Sequence, residues 1–164
     1  MDTPFPETYW VEPGLLLAGP YPAPRQAHIT NDKLEQLLQA GIQIFIDLTE
    51  KDEAPPYALK LSGKARHQRF PIPDFDIPSP REMTSILDAL DYALLRSQRV
   101  YVHCLGGLGR TGTVVGCYLA RHGMSGAEAL KAIRKLRAGT PFADSPSPET
   151  EAQRRMVLQW TLGQ

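Results

Sequence analysis

The sequence predicts a single α/β domain in which helices flank a central, mostly parallel β-sheet. Short apolar segments of strand length alternate with longer segments whose apolar residues recur at helical spacing. Serine followed three residues later by glutamate marks two helix starts, at Ser79 and Ser125. The 164 residues match the usual size of one domain and contain no repeat or linker, so we expect residues 1–164 to form one unit.

The first third of the chain contains two predicted strands with a helix between them. Residues 15–18 are expected to form a short strand at one edge of the sheet. Thr30 or Asn31 can cap the next segment, whose leucines recur on one helical face and which Gly41 ends. Residues 42–48 then predict a buried strand, because they are almost continuously apolar.

The middle of the chain begins with a predicted exposed loop at residues 50–64, which mixes charges and prolines without periodicity. Residues 66–72 follow as a predicted strand. Ser79 and Glu82 then form a capping box, and Pro80 occupies the first helical position. We therefore expect a helix to begin at this proline.

The last third begins with a short predicted strand at residues 99–103 that leads directly into a glycine-rich loop and a helix ended by Gly123. Ser125 caps a further helix. Ser147 and the proline after it are expected to start the last helix, which runs through Trp160.

The composition restricts the setting in which the protein acts. Eighteen basic residues balance eighteen acidic ones, so no overall field favours nucleic acid or an anionic membrane as a partner. The first residues lack the pattern of a signal peptide, and no apolar run approaches membrane-spanning length. Because Cys104 and Cys117 are the two cysteines of the chain, a disulfide framework is not expected. A thiol that must stay free suits the reducing cytoplasm, which is therefore the expected location.

The segment H-C-L-G-G-L-G-R-T-G, at residues 103–112, predicts an anion-binding site. Backbone N–H groups of such a loop can converge on one oxyanion, and the start of the following helix adds further donors. The three glycines would allow positive φ angles, and the arginine offers a planar fork for two phosphate oxygens. We expect the phosphate to be bound by Leu105, Gly106, Gly107, Leu108, Gly109 and Arg110.

Cys104 lies at the start of this loop, where inward dipoles and Arg110 favour the nucleophilic thiolate over the thiol. Thr111 could donate its hydroxyl to the sulfur. His103 precedes the nucleophile on a strand, so we expect it to point away and to hydrogen-bond the loop backbone. Cys117 lies in an apolar helical segment and is interpreted as a core residue.

The same string resembles the signature loop of the cysteine-dependent protein tyrosine phosphatases, and within them the dual-specificity branch. The resemblance extends from the region of Trp10 to the final helix, although only the loop is highly specific. It implies hydrolysis of a phosphate monoester in two steps through a phosphocysteine intermediate, without a metal or another cofactor. In that mechanism Cys104 is the nucleophile and Arg110 holds the phosphate.

The resemblance also implies a general acid on a loop about thirty residues before the cysteine, as an aspartate followed by three residues and a proline. Asp74, followed by F-D-I-P, fits this pattern, and Asp76 is the alternative. Either aspartate could instead be a turn residue. Gln153 lies in a late segment that resembles the one where a glutamine orients the attacking water in several dual-specificity enzymes.

Other classes fit the sequence less well. A rhodanese-type sulfurtransferase also uses a cysteine in a backbone-lined loop, but that loop seldom has the form H-C-x-x-G-x-x-R-T. A catalytically inactive phosphate-binding module would normally have lost the cysteine, the arginine or the acid, and all three are present. A nucleotide-binding loop of the form G-x-x-x-x-G-K-[ST] does not occur in the sequence. Metal-dependent hydrolysis is disfavoured, because the histidines at positions 28, 67, 103 and 122 have no ligand spacing.

The substrate is less well defined by the sequence than the chemistry. The loop carries no lysine to neutralise additional phosphates, which favours a singly phosphorylated protein or peptide, with phosphotyrosine first, over a highly charged lipid or inositol phosphate. A phosphoinositide or a small metabolite is the alternative. Arg25, Arg66, Arg69 and Arg134 could guide an acidic peptide or be ordinary surface charges. We expect a monomer.

Overall fold

The computed structural model describes residues 2–23, 33–61 and 63–164, and its centre is a five-stranded β-sheet. The strand order is β1-β2-β5-β3-β4, with β1 antiparallel to β2 and the other neighbours parallel. This arrangement confirms the predicted α/β fold with a mostly parallel sheet. The strands are β1 Tyr9–Glu12, β2 Leu16–Gly19, β3 Ile44–Asp47, β4 Arg66–Arg69 and β5 Val100–His103.

Helices cover both faces of the sheet. The helix α1 packs on one face together with a short 3₁₀ turn, and the other four helices form the opposite layer. Within that layer α3 contacts α2, α4 and α5, and its side chains are buried almost all round. The helices are α1 Lys33–Gln39, α2 Pro80–Leu94, α3 Gly109–Arg121, α4 Gly126–Leu136 and α5 Glu151–Gln159, and the 3₁₀ turn is Ala58–Leu61.

The alternation of side chains along β5 decides what lies on each face of the sheet. Val100 and Val102 belong to the apolar cluster under α2 to α5, whereas Tyr101 belongs to the cluster under α1. Strand residues two apart share a face, so His103 lies on the α1 side, where its ring contacts Tyr101. The next residue, Cys104, belongs to the opposite cluster. The predicted separation of His103 from the sulfur follows from this geometry.

The helix α2 begins where its capping box predicts. Ser79 accepts from the backbone of Glu82, whose carboxylate accepts the Ser79 N–H, and Pro80 is the first helical residue. Its buried face contributes Met83, Leu87 and other apolar side chains to the core. Each fully buried side chain of this kind stabilises the fold by about 1.5–3 kcal/mol. The second predicted capping box, Ser125 with Glu128, likewise starts α4.

One prediction about the sheet is wrong, and one strand was not predicted. Residues 15–18 were expected at an edge, but β2 lies between β1 and β5, and the unpredicted strand β1 forms the edge. The segment Tyr9–Glu12 has only four residues and follows two prolines, so it lacks a recognisable strand pattern. The other edge is β4, whose side chains are only partly buried.

The last helix starts later than predicted, at Glu151, with Thr150 as its cap and Gln153 completing a capping box. Ser147 does not cap this helix, because its hydroxyl donates to the carbonyl of Leu108 at 2.8 Å. The segment before α5 is thereby attached to the glycine-rich loop.

The proposed caps Thr30 and Asn31, together with Arg25 and His28, lie outside the described residues. Across the ranges that are described, no helix is long and apolar enough to cross a membrane.

Candidate active site

Cys104 lies directly after the central strand, at the carboxyl edge of the parallel strands, where ligands bind in open α/β sheets. Its side chain is enclosed, with 3% of its surface exposed, and the backbone N–H of Gly107 points at Sγ from 3.3 Å. The residue predicted as the nucleophile is therefore at the base of the loop that was predicted to bind phosphate.

One of the three loop glycines is required by its backbone geometry. Gly107 has a φ of 75°, and a Cβ there would lie 2.6 Å from the carbonyl carbon of Gly19. The loop is further attached to this segment by a 3.0 Å hydrogen bond from Tyr21 N–H to the Leu105 carbonyl. The expectation of positive φ at all three glycines is wrong for Gly106 and Gly109, since neither adopts it.

Gly106 and Gly109 lie in different surroundings. Gly106 is exposed, and a Cβ added to it would have no atom of the described residues within 4 Å. Gly109 is the first residue of α3, and the space beside its Cα is filled by the side chains of Glu149 and Gln153. Glycine is thus needed at Gly109 for the close approach of these side chains rather than for its backbone angle.

The start of α3 presents donors toward the loop. Leu108 precedes the helix and has no polar group with which to cap it. The amides of Arg110 and Thr111 fall in the first turn, where N–H groups have no intrahelical acceptor. Arg110 Nε and Thr111 Oγ1 are also buried, and neither has a hydrogen-bond partner among the described residues. These groups, with the positive end of the helix dipole, suit an oxyanion bound above Cys104.

The guanidinium of Arg110 is buried and held by a carboxylate from a distant loop. Its two terminal nitrogens both donate to Glu53, one of them at 2.7 Å, and Nη1 also donates to the Ile72 carbonyl at 2.9 Å. Burial is the largest single effect and opposes the charge on Arg110, but the bond to Glu53 and the negative charges of Cys104, Glu53 and Asp74 together outweigh it and raise the pKa of Arg110. The same bond lowers the pKa of Glu53. Arg110 is therefore a fixed cation whose Nε side remains available.

Of the two aspartates considered as general acid, the structure brings Asp74 to the site. Its Oδ1 lies 2.9 Å from Nη2 of Arg110, and its side chain is 46% exposed. The carboxylate of Asp76 instead accepts the N–H of Ile77 at 2.8 Å within its own loop. Phe75, between them, has a φ of 61°, which reverses the chain direction locally.

Gln153 is buried, and its side-chain amide is engaged in three hydrogen bonds. Oε1 accepts the N–H groups of Glu149 and Thr150, and Nε2 donates to the Asp76 carbonyl at 3.1 Å. The amide thus links the start of α5 to the loop that carries Asp74.

A polar network supports the loop from the α1 side of the sheet. His103 Nδ1 lies 3.1 Å from the Cys104 carbonyl and therefore carries the proton, while Nε2, 2.6 Å from the Tyr57 hydroxyl, accepts from it. Burial lowers the pKa of His103 to about 4, so the ring is neutral near pH 7. The predicted structural role of this histidine agrees with these contacts.

Two basic side chains on β4 are engaged with the sheet. Asp47, at the end of β3, accepts from His67 and Arg69, each at 2.9 Å. Burial opposes ionisation of Asp47, but the bond from His67 and those from Thr49 lower its pKa overall. Arg69 is therefore held by a buried carboxylate.

Sequence reasoning missed two carboxylates at the site, Glu53 and Glu149. Glu53 lies in the segment predicted to be an exposed loop, which in fact folds inward through the buried Tyr57 and Leu61. Glu149 lies four residues before Gln153, and the capping box formed by Thr150 and Gln153 was the available signal for its placement. Burial raises the pKa of Cys117, which lies in the core as predicted.

Comparisons with known proteins agree with this arrangement. Residues 21–124 match the family described as Tc-R-P, the DSP-PTPase phosphatase of polymorphic toxin systems. The crystal structure of Tk-PTP in the active form superposes with a TM-score of 0.77 at 27% identity, covering 93% of this chain and 95% of that one.

Two curated relatives have longer chains. One is the phosphatidylinositol 3,4,5-trisphosphate 3-phosphatase and protein-tyrosine-phosphatase PTEN1 of Arabidopsis thaliana, 28% identical over 89% of this chain and 35% of its own. The other is the dual specificity protein phosphatase CDC14AB of Danio rerio, 30% identical over 80% of this chain and 22% of its own. This chain thus spans about a third or less of either relative. The family match, with the loop geometry, shows that the chain belongs to the dual-specificity phosphatase-like branch of the cysteine-dependent protein tyrosine phosphatase superfamily.

Proposed function

We propose that the protein hydrolyses phosphate monoesters through a phosphocysteine formed on Cys104. The observation that carries this proposal is the enclosed Sγ beneath a loop amide, next to a buried arginine whose Nε has no partner among the described residues. Backbone donors and a fixed guanidinium stabilise charge on the phosphoryl oxygens without reorganising during the reaction.

In the first step the Cys104 thiolate forms a bond to phosphorus while the ester P–O bond breaks. Arg110 and the amides of residues 105–110 bind the phosphoryl oxygens. The leaving oxygen requires a proton, and Asp74 is proposed to supply it from the loop that also contacts Arg110. The Glu53 pair fixes the plane of the guanidinium, so its Nε edge can face the phosphate.

In the second step a water attacks phosphorus and the S–P bond breaks, with its electron pair returning to sulfur. Asp74, now ionised, is proposed to accept the proton of the water. Thr111 is proposed to donate its buried hydroxyl to the departing sulfur, since Oγ1 has no other partner in the described part of the chain. The step needs no metal or cofactor.

For Gln153 we propose a positioning role in the second step. The sequence-based hypothesis was that its amide orients the water directly. Its three hydrogen bonds instead support a function through Asp76 and Glu149, whose backbones it holds. The water would then be oriented by groups that Gln153 positions.

For the substrate we propose a singly phosphorylated protein or peptide, with phosphotyrosine before phosphoserine or phosphothreonine. The loop offers leucines and glycines at its variable positions and a single cation, Arg110, which suits one phosphate. A groove of about 810 Å³ is lined by Glu53 together with His67, Arg69 and residues of the loop that carries Glu53. This groove could receive residues flanking the phosphorylated side chain.

A phosphoinositide is the second candidate, favoured by a named relative. The Arabidopsis thaliana relative is described as acting on both a phosphoinositide and phosphotyrosine proteins. Of the arginines considered as guides, Arg69 pairs with Asp47, Arg66 donates to Gln98 and Arg134 is exposed on α4. They form no described cluster around the loop that would favour several phosphates.

We also propose a cytoplasmic, monomeric enzyme. A nucleophilic thiol requires a reducing compartment, and both cysteines are free. Size-exclusion chromatography with light scattering tests the monomer, for which we expect a mass near 18.2 kDa. A dimer at micromolar concentration would contradict it.

The first experiment measures hydrolysis of p-nitrophenyl phosphate in EDTA by the wild type, Cys104→Ser, Asp74→Asn and Asp76→Asn. We expect turnover by the wild type, none above background for Cys104→Ser, and a loss of about tenfold in turnover for Asp74→Asn, because nitrophenolate needs little protonation and the loss arises mainly in the second step, where Asp74 accepts the proton of the water. Asp76→Asn should stay within about threefold of the wild type, because its carboxylate accepts the N–H of Ile77 within its own loop and has no contact with Arg110 among the described residues. An inert wild type, or an active Cys104→Ser, would show that the loop binds anions or transfers sulfur instead.

The substrate is tested by comparing kcat/KM for a phosphotyrosine peptide, the same peptide with phosphoserine, and a water-soluble phosphatidylinositol monophosphate. We expect the order in which they are given. A higher kcat/KM for the lipid would replace the protein substrate with the phosphoinositide and leave the proposed chemistry unchanged.

A further inference from the structure

We propose that Glu149 is a second catalytic residue of this site, which transfers a proton to the leaving oxygen alongside Asp74. The inference rests on the proposed phosphatase function and deepens it. It begins from the position of the carboxylate, which stands over the first residue of α3 within the phosphate-binding loop. A Cβ on Gly109 would lie 2.5 Å from Oε2 of Glu149, so this oxygen occupies the space beside the loop backbone.

The backbone of Glu149 is held in place from two sides. Its N–H donates to Oε1 of Gln153 at 3.1 Å, and its carbonyl accepts from Nη1 of Arg154 at 2.8 Å. Both partners belong to α5, a helix that packs against α3. The side chain is therefore presented to the loop by a rigid helix start, as proton transfer within a defined geometry requires.

The charges around Glu149 favour its neutral, proton-donating form. Burial, followed by the negative charge of Asp74, raises the pKa of Glu149, although the Gly109 amide, Arg110 and Arg137 act in the opposite direction. Asp74 itself is paired with Arg110 at 2.9 Å. Glu149 forms no salt bridge with a cation of the described residues, which agrees with its raised pKa.

A bound phosphate would further favour the protonated form of Glu149. Its negative oxygens would lie against the amides of the loop, beside the carboxylate that stands over Gly109. An ionised Glu149 would repel them, whereas a protonated one can donate a hydrogen bond. The substrate thus selects the form of Glu149 that can donate to the leaving oxygen.

While the S–P bond forms and the ester P–O bond breaks, one proton moves to the leaving oxygen, from the Glu149 carboxyl in some turnovers and from Asp74 in the others. When water attacks, its oxygen bonds to phosphorus, the S–P electron pair returns to Cys104, and the released proton returns to the carboxylate that had donated. The net reaction consumes one water and yields an alcohol and phosphate.

The test compares two substrates that differ in how much their leaving group needs a proton. Nitrophenolate departs readily as an anion, whereas the phenolate of phenyl phosphate gains more from protonation. We expect Glu149→Gln to lower kcat/KM for phenyl phosphate by about 10- to 100-fold and for p-nitrophenyl phosphate by about threefold or less. A merely structural loss would lower both values by the same factor.

The matched control is Glu151→Gln, two residues along the chain. The Glu151 side chain is 78% exposed and pairs only with Arg155 on its own helix among the described residues. This variant should keep both values within about twofold of the wild type. The double variant Asp74→Asn with Glu149→Gln should lose at least about tenfold more on phenyl phosphate than Asp74→Asn alone. Thermal melting confirms that each variant is folded.

The outcomes separate this inference from the proposed function. If Cys104→Ser is inert and the wild type is active, but Glu149→Gln behaves like Glu151→Gln on both substrates, Glu149 takes no part in proton transfer. An equal loss on both substrates would also overturn the proposal. If the wild type itself is inert on both substrates, the phosphatase function fails.

Discussion

The phosphate-binding loop and the rim of the site are built in opposite ways. The loop runs without interruption from Cys104 to Arg110, and its geometry follows from one strand, one glycine turn and one helix start. The rim consists of three carboxylates, Glu53, Asp74 and Glu149, which come from three loops far apart in the sequence. The groups proposed to bind the anion are thus encoded locally, whereas those proposed to orient Arg110 and to transfer protons depend on the whole fold.

This difference indicates how the two regions should respond to substitution. Changes in the loop should remove binding of the transition state or destabilise the fold, because its groups have no substitutes. Changes at the rim should have smaller effects, because the carboxylates act through Arg110 or share proton transfer between them. The following variants test this contrast, in order of expected effect.

Arg110→Lys should cause the largest loss. Lysine cannot reproduce the planar fork that holds two phosphate oxygens, and it would also lose the paired contact with Glu53. We expect kcat/KM for p-nitrophenyl phosphate to fall by about 10³-fold. Arg134→Lys, at an exposed position of α4, is the control and should retain wild-type activity. Comparable activity of both variants would show that the planar guanidinium of Arg110 is not required for hydrolysis.

Gly107→Ala should destabilise the protein by about 3 kcal/mol. A side chain there would meet the backbone of Gly19 at 2.6 Å in a conformation with φ of 75°. Gly106→Ala adds the same methyl group in open space, so its unfolding free energy should stay within about 0.5 kcal/mol of the wild type. Urea unfolding measures both. Equal stabilities would show that the contact with Gly19 relaxes without cost.

Acid should destabilise the fold through His103. The folded protein keeps this histidine neutral down to about pH 4, whereas the unfolded chain binds a proton near 6.5. The stability that the neutral His103 ring contributes to the fold is therefore complete above about pH 6.5 and is lost progressively as the pH falls toward 4. From pH 7 to 5 this corresponds to about 2 kcal/mol of unfolding free energy.

Urea unfolding at several pH values tests this linkage. His103→Gln should lower stability at pH 7, because the bonds to Tyr57 and the Cys104 carbonyl change. The loss of unfolding free energy between pH 7 and 5 should also be about 2 kcal/mol smaller for His103→Gln than for the wild type. Parallel curves for the two proteins would assign the decline to other groups.

Glu53→Gln should have the smallest effect. The amide still accepts one hydrogen bond from Arg110 but loses the charged pair, so the guanidinium is held less firmly. We expect kcat/KM to fall by about tenfold, with the same factor for p-nitrophenyl phosphate and phenyl phosphate. Asp52→Asn, at the exposed neighbour, should be unaffected. A loss that depends on the leaving group would assign Glu53 to proton transfer instead.

The sequence predicted those features that depend on adjacent residues. Ser79 and Glu82 define the start of α2 by hydrogen bonds within four residues, and the loop from Cys104 to Arg110 has its own signature. Asp74 could be chosen over Asp76 by its spacing from a proline, and the structure brings it to Arg110.

The remaining features arise from contacts between distant segments. Glu53 reaches Arg110 only because Tyr57 and Leu61 bury the segment after it, and nothing in their local pattern indicates this. Ser147 and its proline resemble a helix start, but a hydrogen bond to Leu108 competes with that role. The edge position of β1 likewise depends on pairing with β2 rather than on its own four residues.

The burial of Cys117 allows intact active sites to be counted by alkylating Cys104. The chain has two cysteines, and Cys117 lies fully enclosed in α3 with its pKa raised by burial. In the folded protein, an anionic alkylating reagent such as iodoacetate would therefore modify Cys104 alone. The moles of label incorporated per mole of chain then equal the fraction of intact sites in a preparation, and inorganic phosphate should slow the labelling by competition.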